Sequence, residues 1–148
     1  MDQRAKKQIK EGIANGIQVA GANVFKLIPS LIITGAAALS VKDPVWKYNW
    51  MKENEPENFA KIAKIMLPKD YLAYKLTSVH STDYSDASGM LLLDVQNKGW
   101  SKEMCAICSV DESWLPTLFE SYERIGQVRD EYEKNTAWAY RERRFKIV

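Results

Sequence analysis

The apolar residues of this chain recur mainly at the spacing of helices. Ala5, Ile9 and Ile13 repeat every four residues, which predicts a helix over residues 2–15. Similar spacing or helix-start signals predict further helices over these segments: 30–33, 45–54, 56–66, 70–76 and 101–109. Few β-branched runs are available to build a central sheet. The pattern therefore predicts a mostly α chain with a few short strands, of the α+β class.

Two segments have no decisive pattern. Residues 17–25 are ambiguous, and the short apolar run 90–95 fits a helix by its Leu and Met content but a strand by its brevity. Between the helices, residues 81–88 are rich in turn-forming residues. Pro29 is expected in the first turn of the helix over 30–33, and Pro68 is expected to break the helical pattern.

The densest group of polar side chains lies in STDYSDASGMLLLDV, residues 81–95. A calcium-binding EF-hand loop that began at Asp83 would need ligands or glycine at positions where this chain has unsuitable residues, so that type of site is excluded. Asp83 and Asp86 could form an acid–base pair, but carboxylates in such clusters more often cap helices and close turns. Tyr84 offers a ring and a hydroxyl to a sugar, or else packs in the core.

Cys105 and Cys108 form a lone C-x-x-C pair. A zinc site needs four ligands, and His80 is the only histidine of the chain. A redox dithiol usually lies at the start of a helix, whereas this pair comes late in a short predicted helix that Ser101 can cap. Buried structural thiols are therefore the favoured interpretation, with a small thiol redox protein as the alternative.

Composition narrows the function only slightly. The 148 residues suffice for one domain, and 46% hydrophobic and 27% charged residues are an ordinary globular balance. The net charge of +2, with basic residues interleaved with acidic ones, does not suggest a nucleic-acid partner. No apolar run reaches the roughly 20 residues of a membrane-spanning helix, so the expected location is the cytoplasm.

Six motifs occur in an order that identifies a family. KIMLPKDYLAYKLT (64–77) is followed by TDYSDASGMLLLDVQNKGWSKEM (82–104) and VDESWLPTLFESYERIGQV (110–128). Upstream motifs fit the same order: MDQRA (1–5), ITGAAALSVKDP (33–44) and WMKENEPENF (50–59). Together they resemble the FGGY family of carbohydrate kinases, which includes xylulokinase, gluconate kinase and glycerol kinase. The resemblance covers residues 1–130, and residues 131–148 are expected to be a tail outside the family pattern.

This resemblance implies an RNase H-like (actin-like) fold. It also implies a reaction in which ATP with Mg²⁺ phosphorylates a hydroxyl of a sugar or polyol, with a xylulose-like substrate. The family's D-x-G-T phosphate loop has no counterpart in these 148 residues, and neither do the stretch with the catalytic Asp and the ATP-binding domain. The expectation is therefore an internal segment of the first kinase domain that is inactive alone. The alternative is a module without catalysis that self-associates or binds a partner through exposed apolar surface, as a homo-oligomer would.

The resemblance also suggests individual substrate-binding residues. Asp2 and Arg4 match the family's D-x-R element near the sugar, and Tyr84 matches a position that approaches substrate in some members. The alternatives are a charged chain end without a binding role and a core tyrosine. No catalytic, cofactor-binding or metal-ligating residue is assigned to this chain. It departs from the family at Ser78 and Ser109, where glycine is usual, and at Cys105, where leucine is usual.

Overall fold

The computed structural model describes residues 4–19 and 21–133. The helices in these ranges are α1 (Lys6–Glu11), α2 (Val24–Thr34), α3 (Pro44–Asn54), α4 (Pro56–Phe59), α5 (Pro68–Thr77), α6 (Tyr84–Ser88), α7 (Lys102–Cys108) and α8 (Asp130–Glu133), with a 3₁₀ turn at Glu112–Trp114. The strands are β1 (Gln18–Val19), β2 (Ala22–Asn23), β3 (Ser81–Asp83), β4 (Leu93–Asp94), β5 (Gly99–Trp100) and β6 (Thr117–Phe119). The mostly helical α+β prediction is confirmed. None of the helices in this part of the chain is long and apolar enough to cross a membrane.

The strands form three separate pairs. β1 and β2 form an antiparallel hairpin, and β4 and β5 form another. β3 and β6 run parallel, with Thr82 opposite Leu118. The hairpin resolves the ambiguous segment 17–25, and the run 90–95 becomes a buried turn that leads into β4. The strand pairs are short because helices and turns supply most of the packing.

The core forms around Trp46 of α3, which is 1% exposed. Its indole Nε1 donates a hydrogen bond to the carbonyl oxygen of Ala38 at 2.8 Å, so the one polar atom of the ring is satisfied. Ile13, Met90 and Met104 belong to the same buried cluster. Trp46 is thus a core residue, and this cluster joins the N-terminal helices to α7.

The first two helices differ from their predicted bounds. α1 ends at Glu11 instead of residue 15, and Gly12 lies so close to Trp46 that a Cβ there would be 2.5 Å from Cζ3 of the ring. α2 begins six residues earlier than predicted because the side chain of Asn23 accepts a hydrogen bond from Phe25 N–H and caps it. Pro29 therefore lies inside α2 and not in its first turn.

The predicted helix over 56–66 was too long. α4 ends at Phe59, local backbone hydrogen bonds continue as far as the one from Ile62 N–H to the carbonyl oxygen of Phe59, and the next residues bond to distant parts of the chain. Ile65 N–H donates to the carbonyl oxygen of Trp114 at 2.9 Å, and the ring Nε2 of His80 lies 3.0 Å from the carbonyl oxygen of Ile65. Pro68 does not merely break a pattern, because it occupies the first turn of α5.

Several helix ends have the expected capping residues, and after two helices a serine takes a left-handed backbone conformation that is unfavourable for it. Ser101 caps α7 by accepting a hydrogen bond from Met104 N–H at 3.2 Å, as predicted. The residues that follow α5 and α7, Ser78 and Ser109, have φ of 61° and 55° respectively. These left-handed conformations favour glycine, which explains why glycine is usual in the family at both positions.

Candidate functional site

Four charged side chains meet where α5, β3 and α6 come together. Lys69 Nζ forms ion pairs with Asp83 at the end of β3, with Asp86 Oδ2 in α6 at 2.8 Å, and with Asp70 Oδ1 beside it at 3.4 Å. We call these four residues the Lys69 cluster. The position of Lys69 in the first turn of α5 directs one cation at three carboxylates, and the cluster therefore ties two helices to a strand.

The carboxylates of the Lys69 cluster differ in burial. Asp70 is 2% exposed, whereas the Asp86 side chain is 43% exposed. Burial raises the pKa of Asp83, but its hydrogen bonds with Lys69 Nζ and with the N–H of Asp86 lower that pKa further, so it lies below the ordinary value. Burial lowers the pKa of Lys69, and its hydrogen bonds to Asp83 and Asp86 outweigh this and raise the pKa above the ordinary value.

This arrangement decides how Asp83 and Asp86 are used. Asp86 N–H donates to Asp83 Oδ1 at 3.0 Å, so Asp83 caps α6, and the cap interpretation is confirmed. A general base for a neutral-pH reaction needs a pKa near the working pH, whereas the pKa of Asp83 is lowered, further from neutral pH. The pair therefore serves as structural support, and the acid–base alternative finds no support in this geometry.

A cavity of about 330 Å³ opens beside the Lys69 cluster. Its lining includes polar groups from Lys69, Asp83 and Thr82 and apolar side chains from α5 and β6, such as Leu72 and Phe119. Thr82 is 3% exposed, and its Oγ1 has no hydrogen-bond partner within the described part of the chain. This hydroxyl is therefore a buried polar group without a partner at the edge of the cavity.

Of the substrate-binding residues suggested by the sequence, the structure describes Arg4, which precedes α1, and Tyr84, which begins α6. Arg4 is placed with its guanidinium carbon 3.9 Å from the ring centroid of Trp50, in a cation–π contact. Tyr84 begins α6, is partly exposed, and lies under Lys98, whose Nζ is 5.2 Å from the ring centroid. Asp2 lies outside the described residues. Arg4 therefore contacts the ring of Trp50, whereas the ring of Tyr84 contacts Lys98.

The cysteine pair has the environment of structural thiols. Cys105 and Cys108 are both free and buried. Burial raises the pKa of Cys105 to about 11 and that of Cys108 to about 12, so neither forms a reactive thiolate at neutral pH. This confirms the structural interpretation of the C-x-x-C pair, and the thiol redox alternative is not supported.

The described residues do not form a binding site for Mg²⁺ of their own. No group of three or more His, Cys, Asp and Glu side chains in this part of the chain is arranged to hold a metal ion. The three carboxylates that do converge are already bound to Lys69. We therefore derive no reaction step through ATP or Mg²⁺ from these residues.

Sequence reasoning missed the Lys69 cluster. The motif KDY (residues 69–71) predicts a helix start and a turn, with no catalytic role for Lys69 or Asp70, and α5 begins one residue before it. A signal was available: Asp83 and Asp86, three residues apart on one helical turn, need a cation, but the sequence alone does not say which lysine reaches them.

Comparison with known proteins decides the family. The model of the N-terminal domain of the FGGY family of carbohydrate kinases matches residues 30–139. The chain belongs to this family. The five motifs between residues 33 and 128 lie inside this match, whereas MDQRA (1–5) lies outside it. The match extends past residue 130, and the division of the chain at that residue stays a prediction.

Curated relatives of this FGGY chain include several bacterial xylulose kinases. The xylulose kinase of Lactococcus lactis is 48% identical over 85 residues, which is 57% of this chain and 17% of that protein. The xylulose kinase of Escherichia coli is 39% identical over 92 residues, which is 62% of this chain and 19% of that protein. The FGGY chain therefore spans less than a fifth of the length of these two relatives.

Solved structures confirm the fold. A xylulose kinase from Brucella ovis superposes with a TM-score of 0.75 at 30% identity and covers 90% of this chain and 25% of its own. The glycerol kinase of Plasmodium falciparum gives a TM-score of 0.74 at 24% identity, covering 90% of this chain and 26% of its own. The FGGY chain has the fold of one segment of an RNase H-like (actin-like) sugar kinase.

Proposed function

We propose that this chain is part of the first domain of an ATP-dependent kinase that phosphorylates a hydroxyl of a sugar or polyol, with a xylulose-like ketose as the first candidate substrate. The observation that carries the proposal is the 48% identity to the Lactococcus lactis xylulose kinase within the family's N-terminal domain. We further propose a cytoplasmic location, as befits a kinase that uses ATP.

These 148 residues are proposed to be inactive when tested alone. Phosphoryl transfer depends on positioning the phosphates and neutralising their charge. The D-x-G-[ST] motif of the family's phosphate loop does not occur in this sequence. ATP and Mg²⁺ are the cofactors that family membership suggests, and on this proposal they bind mainly to parts of a kinase that these residues do not supply.

Asp2, Arg4 and Tyr84 are the proposed substrate-binding residues. The carboxylate of Asp2 could accept hydrogen bonds from sugar hydroxyls, and the guanidinium of Arg4 could donate to them. The contact with Trp50 would hold Arg4 in a fixed direction. Tyr84 keeps part of its ring exposed at the start of α6, which leaves its hydroxyl free to reach a ligand in solution.

An assay of the chain by itself tests the proposed inactivity. Purified protein is incubated with ATP, Mg²⁺ and xylulose, gluconate or glycerol, and ADP release is followed by a coupled reaction. We expect no turnover above the background rate without sugar. Sugar-dependent ADP release that follows the protein through purification would show that the chain is a complete catalyst.

A chimera tests the proposed kinase role. Residues 4–133 replace the corresponding quarter of the Brucella ovis kinase, and activity on xylulose is measured. We expect measurable kinase activity, because the two backbones superpose over most of this chain. Loss of activity in a chimera that folds with the parent's circular dichroism spectrum and melting behaviour would contradict the proposal.

Within that chimera, Arg4→Ala and Tyr84→Phe probe the binding roles, and Tyr122→Phe is the control because Tyr122 is 79% exposed. Loss of a direct hydrogen bond to substrate should raise KM about tenfold. A KM equal to that of the Tyr122→Phe control would remove either residue from the binding site.

A second candidate function is self-association without catalysis. It is favoured by the large apolar side chains that the described residues expose, four of which lie on α2: Phe25, Ile28, Leu31 and Ile32. This candidate is compatible with the kinase role, because many kinases are oligomers and an apolar face can serve both.

A further inference from the structure

Helix α1 is too short to set its own direction. It has six residues, and no side chain caps its N-terminus, where Ala5 is the N-cap. Isolated helices of this length are unstable in water, so the position of α1 depends on its contacts with the rest of the chain. Arg4 directly precedes the N-cap, and its place therefore depends on the same contacts.

Helix α3 supplies several of these contacts from a single turn. The carboxylate of Glu53 accepts hydrogen bonds from Lys7 Nζ and from Gln8 Nε2, the latter at 2.7 Å. Three residues earlier in α3, the centroid of the Trp50 ring lies 3.9 Å from the guanidinium carbon of Arg4. Lys7 and Gln8 follow Arg4 by three and four positions, which is the spacing of residues on one helix face. Trp50 and Glu53 therefore contact one side of α1 and of the residue before it.

The hydrogen bonds to Glu53 contribute little to stability. The side chains of Lys7 and Glu53 are 58% and 41% exposed, and exposed ion pairs are weak. Gln8 is 6% exposed, and its Oε1 has no hydrogen-bond partner among the described residues. A buried amide oxygen without a partner offsets much of the gain from the Nε2 bond. The main effect of Glu53 is therefore to fix the direction of α1 and not to hold the chain folded.

An arginine that is already fixed binds a ligand better than a mobile one. An arginine side chain has many rotamers, and restricting them when a ligand binds reduces affinity. Contact with Trp50 restricts Arg4 before a ligand arrives. A cation–π contact at the guanidinium carbon does not use the N–H donors through which arginine recognises oxygen atoms. The contacts with α3 thus prepare Arg4 for binding in advance.

We infer that Trp50 and Glu53 are positioning residues for Arg4. Trp50 acts on the guanidinium directly, and Glu53 acts through α1, whose direction it fixes by binding Lys7 and Gln8. The inference rests on the proposed function, in which Arg4 donates hydrogen bonds to hydroxyls of the sugar. Neither positioning residue has to touch the sugar. Both therefore affect how tightly the substrate binds and leave the chemical step unchanged.

Kinetics of the Brucella ovis chimera test the inference. In Trp50→Leu and in Glu53→Ala, KM for xylulose should rise about fivefold, because Arg4 must then be ordered when the sugar binds, and kcat should not change. Trp50→Phe keeps a ring beside the guanidinium and should restore KM to within about twofold of the unmutated chimera. The matched controls are Trp114→Leu, whose ring packs on other aromatic rings, and Glu57→Ala, which is exposed in α4. Circular dichroism checks that every variant is folded.

The same substitutions in an Arg4→Ala background separate positioning from a general structural role. Residues that act only through Arg4 have nothing left to position, so Trp50→Leu and Glu53→Ala should add no further increase in KM. Residues that support the site in another way would raise KM in both backgrounds. The double variants therefore give a readout that a merely structural role would not produce.

The contact can also be measured without any kinase activity, in the 148-residue chain itself. In nitrogen–proton NMR spectra, the Nε–Hε signal of Arg4 is assigned by its loss in Arg4→Ala. This signal should shift in Trp50→Leu, because the ring current of the indole is removed. Its heteronuclear NOE should fall in Glu53→Ala, because α1 and the residue before it become more mobile, whereas Glu57→Ala should leave the NOE unchanged.

Three results would overturn the inference. The first is an active chimera in which the Trp50 and Glu53 variants have the KM of the controls. The second is a rise in KM that persists in full in the Arg4→Ala background. The third is an Arg4 signal that responds to neither substitution. An inactive chimera is a different failure, because it removes the kinase proposal itself and the positioning role with it.

Discussion

Replacing Lys69 by methionine removes the one cation of the Lys69 cluster and keeps most of the side-chain volume. Asp70, Asp83 and Asp86 then remain as three neighbouring carboxylates, and Asp70 stays buried. The variant should fold but be less stable, because like charges repel and a buried carboxylate loses its nearest ion pair.

The size of the effect lies between two limits. Breaking a buried ion pair costs about 3–5 kcal/mol, whereas exposed pairs contribute about 0.2–1 kcal/mol. The Lys69 side chain is 52% exposed and that of Asp83 is 22% exposed, so the cluster is neither fully buried nor fully solvated. A loss of about 2 kcal/mol in the free energy of unfolding is expected, which lowers Tm by about 6 °C in a domain of this size.

The dependence on pH identifies the cause. The pKa of Asp83 is lowered in the folded chain, so its contribution is present above the unfolded value of 3.8 and is lost as pH falls through the folded value. The pKa of Lys69 is raised, so its contribution is present below 10.5 and is lost as pH rises through the folded value. The stability difference between wild type and Lys69→Met should therefore be largest at neutral pH and shrink towards both extremes.

Urea denaturation followed by tryptophan fluorescence measures this difference at several pH values. Lys61→Met is the matched control, because Lys61 is exposed and forms no ion pair within the described residues. The reasoning is refuted if Lys69→Met and Lys61→Met are equally stable at neutral pH. It is also refuted if the loss in Lys69→Met persists unchanged in acid, since that would point to packing and not to charge.

Three further predictions follow from the fold. Gly12→Ala should destabilise the chain by about 1–3 kcal/mol, because the added methyl group overpacks against Trp46. This loss of stability should be smaller in a Trp46→Phe background, which lacks the outer ring carbons. An equal loss in both backgrounds would mean that the ring is not the obstacle. Ser78→Gly and Ser109→Gly should each raise stability by about 0.5–1 kcal/mol because they relieve left-handed backbone, whereas Ser85→Gly inside α6 should lower it; a melting temperature that falls in the first two would contradict the backbone argument. Both cysteine thiols should resist alkylation at neutral pH until the protein unfolds, and fast labelling of the native protein, measured by mass spectrometry, would show that they are accessible.

Local signals predicted much of the helical structure. Ser101 accepts a hydrogen bond from Met104 N–H and caps α7 as predicted, whereas Pro68, expected to break the helical pattern, occupies the first turn of α5. These signals act within one turn, so the sequence alone reveals them. Asn23 is the exception, because its capping role was not recognised and α2 was predicted too short.

Features that depend on distant partners were not predictable in the same way. The close approach of Trp46 to Gly12 shortens α1. Where the spacing predicted a continued helix, Ile65 N–H donates to the carbonyl oxygen of Trp114, and the Ile65 carbonyl oxygen lies beside the ring of His80. In the Lys69 cluster, Lys69 pairs with Asp83, which lies 14 positions further along the chain. Periodicity describes which residues share a face of a helix, but not which face the rest of the chain will cover.

The parallel pairing of β3 with β6 has a consequence for the order in which the chain folds. Roughly 35 residues separate the paired positions Ser81 and Thr117, so no tight turn can set their register, and closing this loop has an entropic cost before any strand bond forms. The helices and the two hairpins, β1–β2 and β4–β5, can form earlier because their contacts are local in the sequence. Because Phe119 of β6 lines the cavity beside Thr82, we expect that cavity to take shape late in folding, once β3 and β6 have paired.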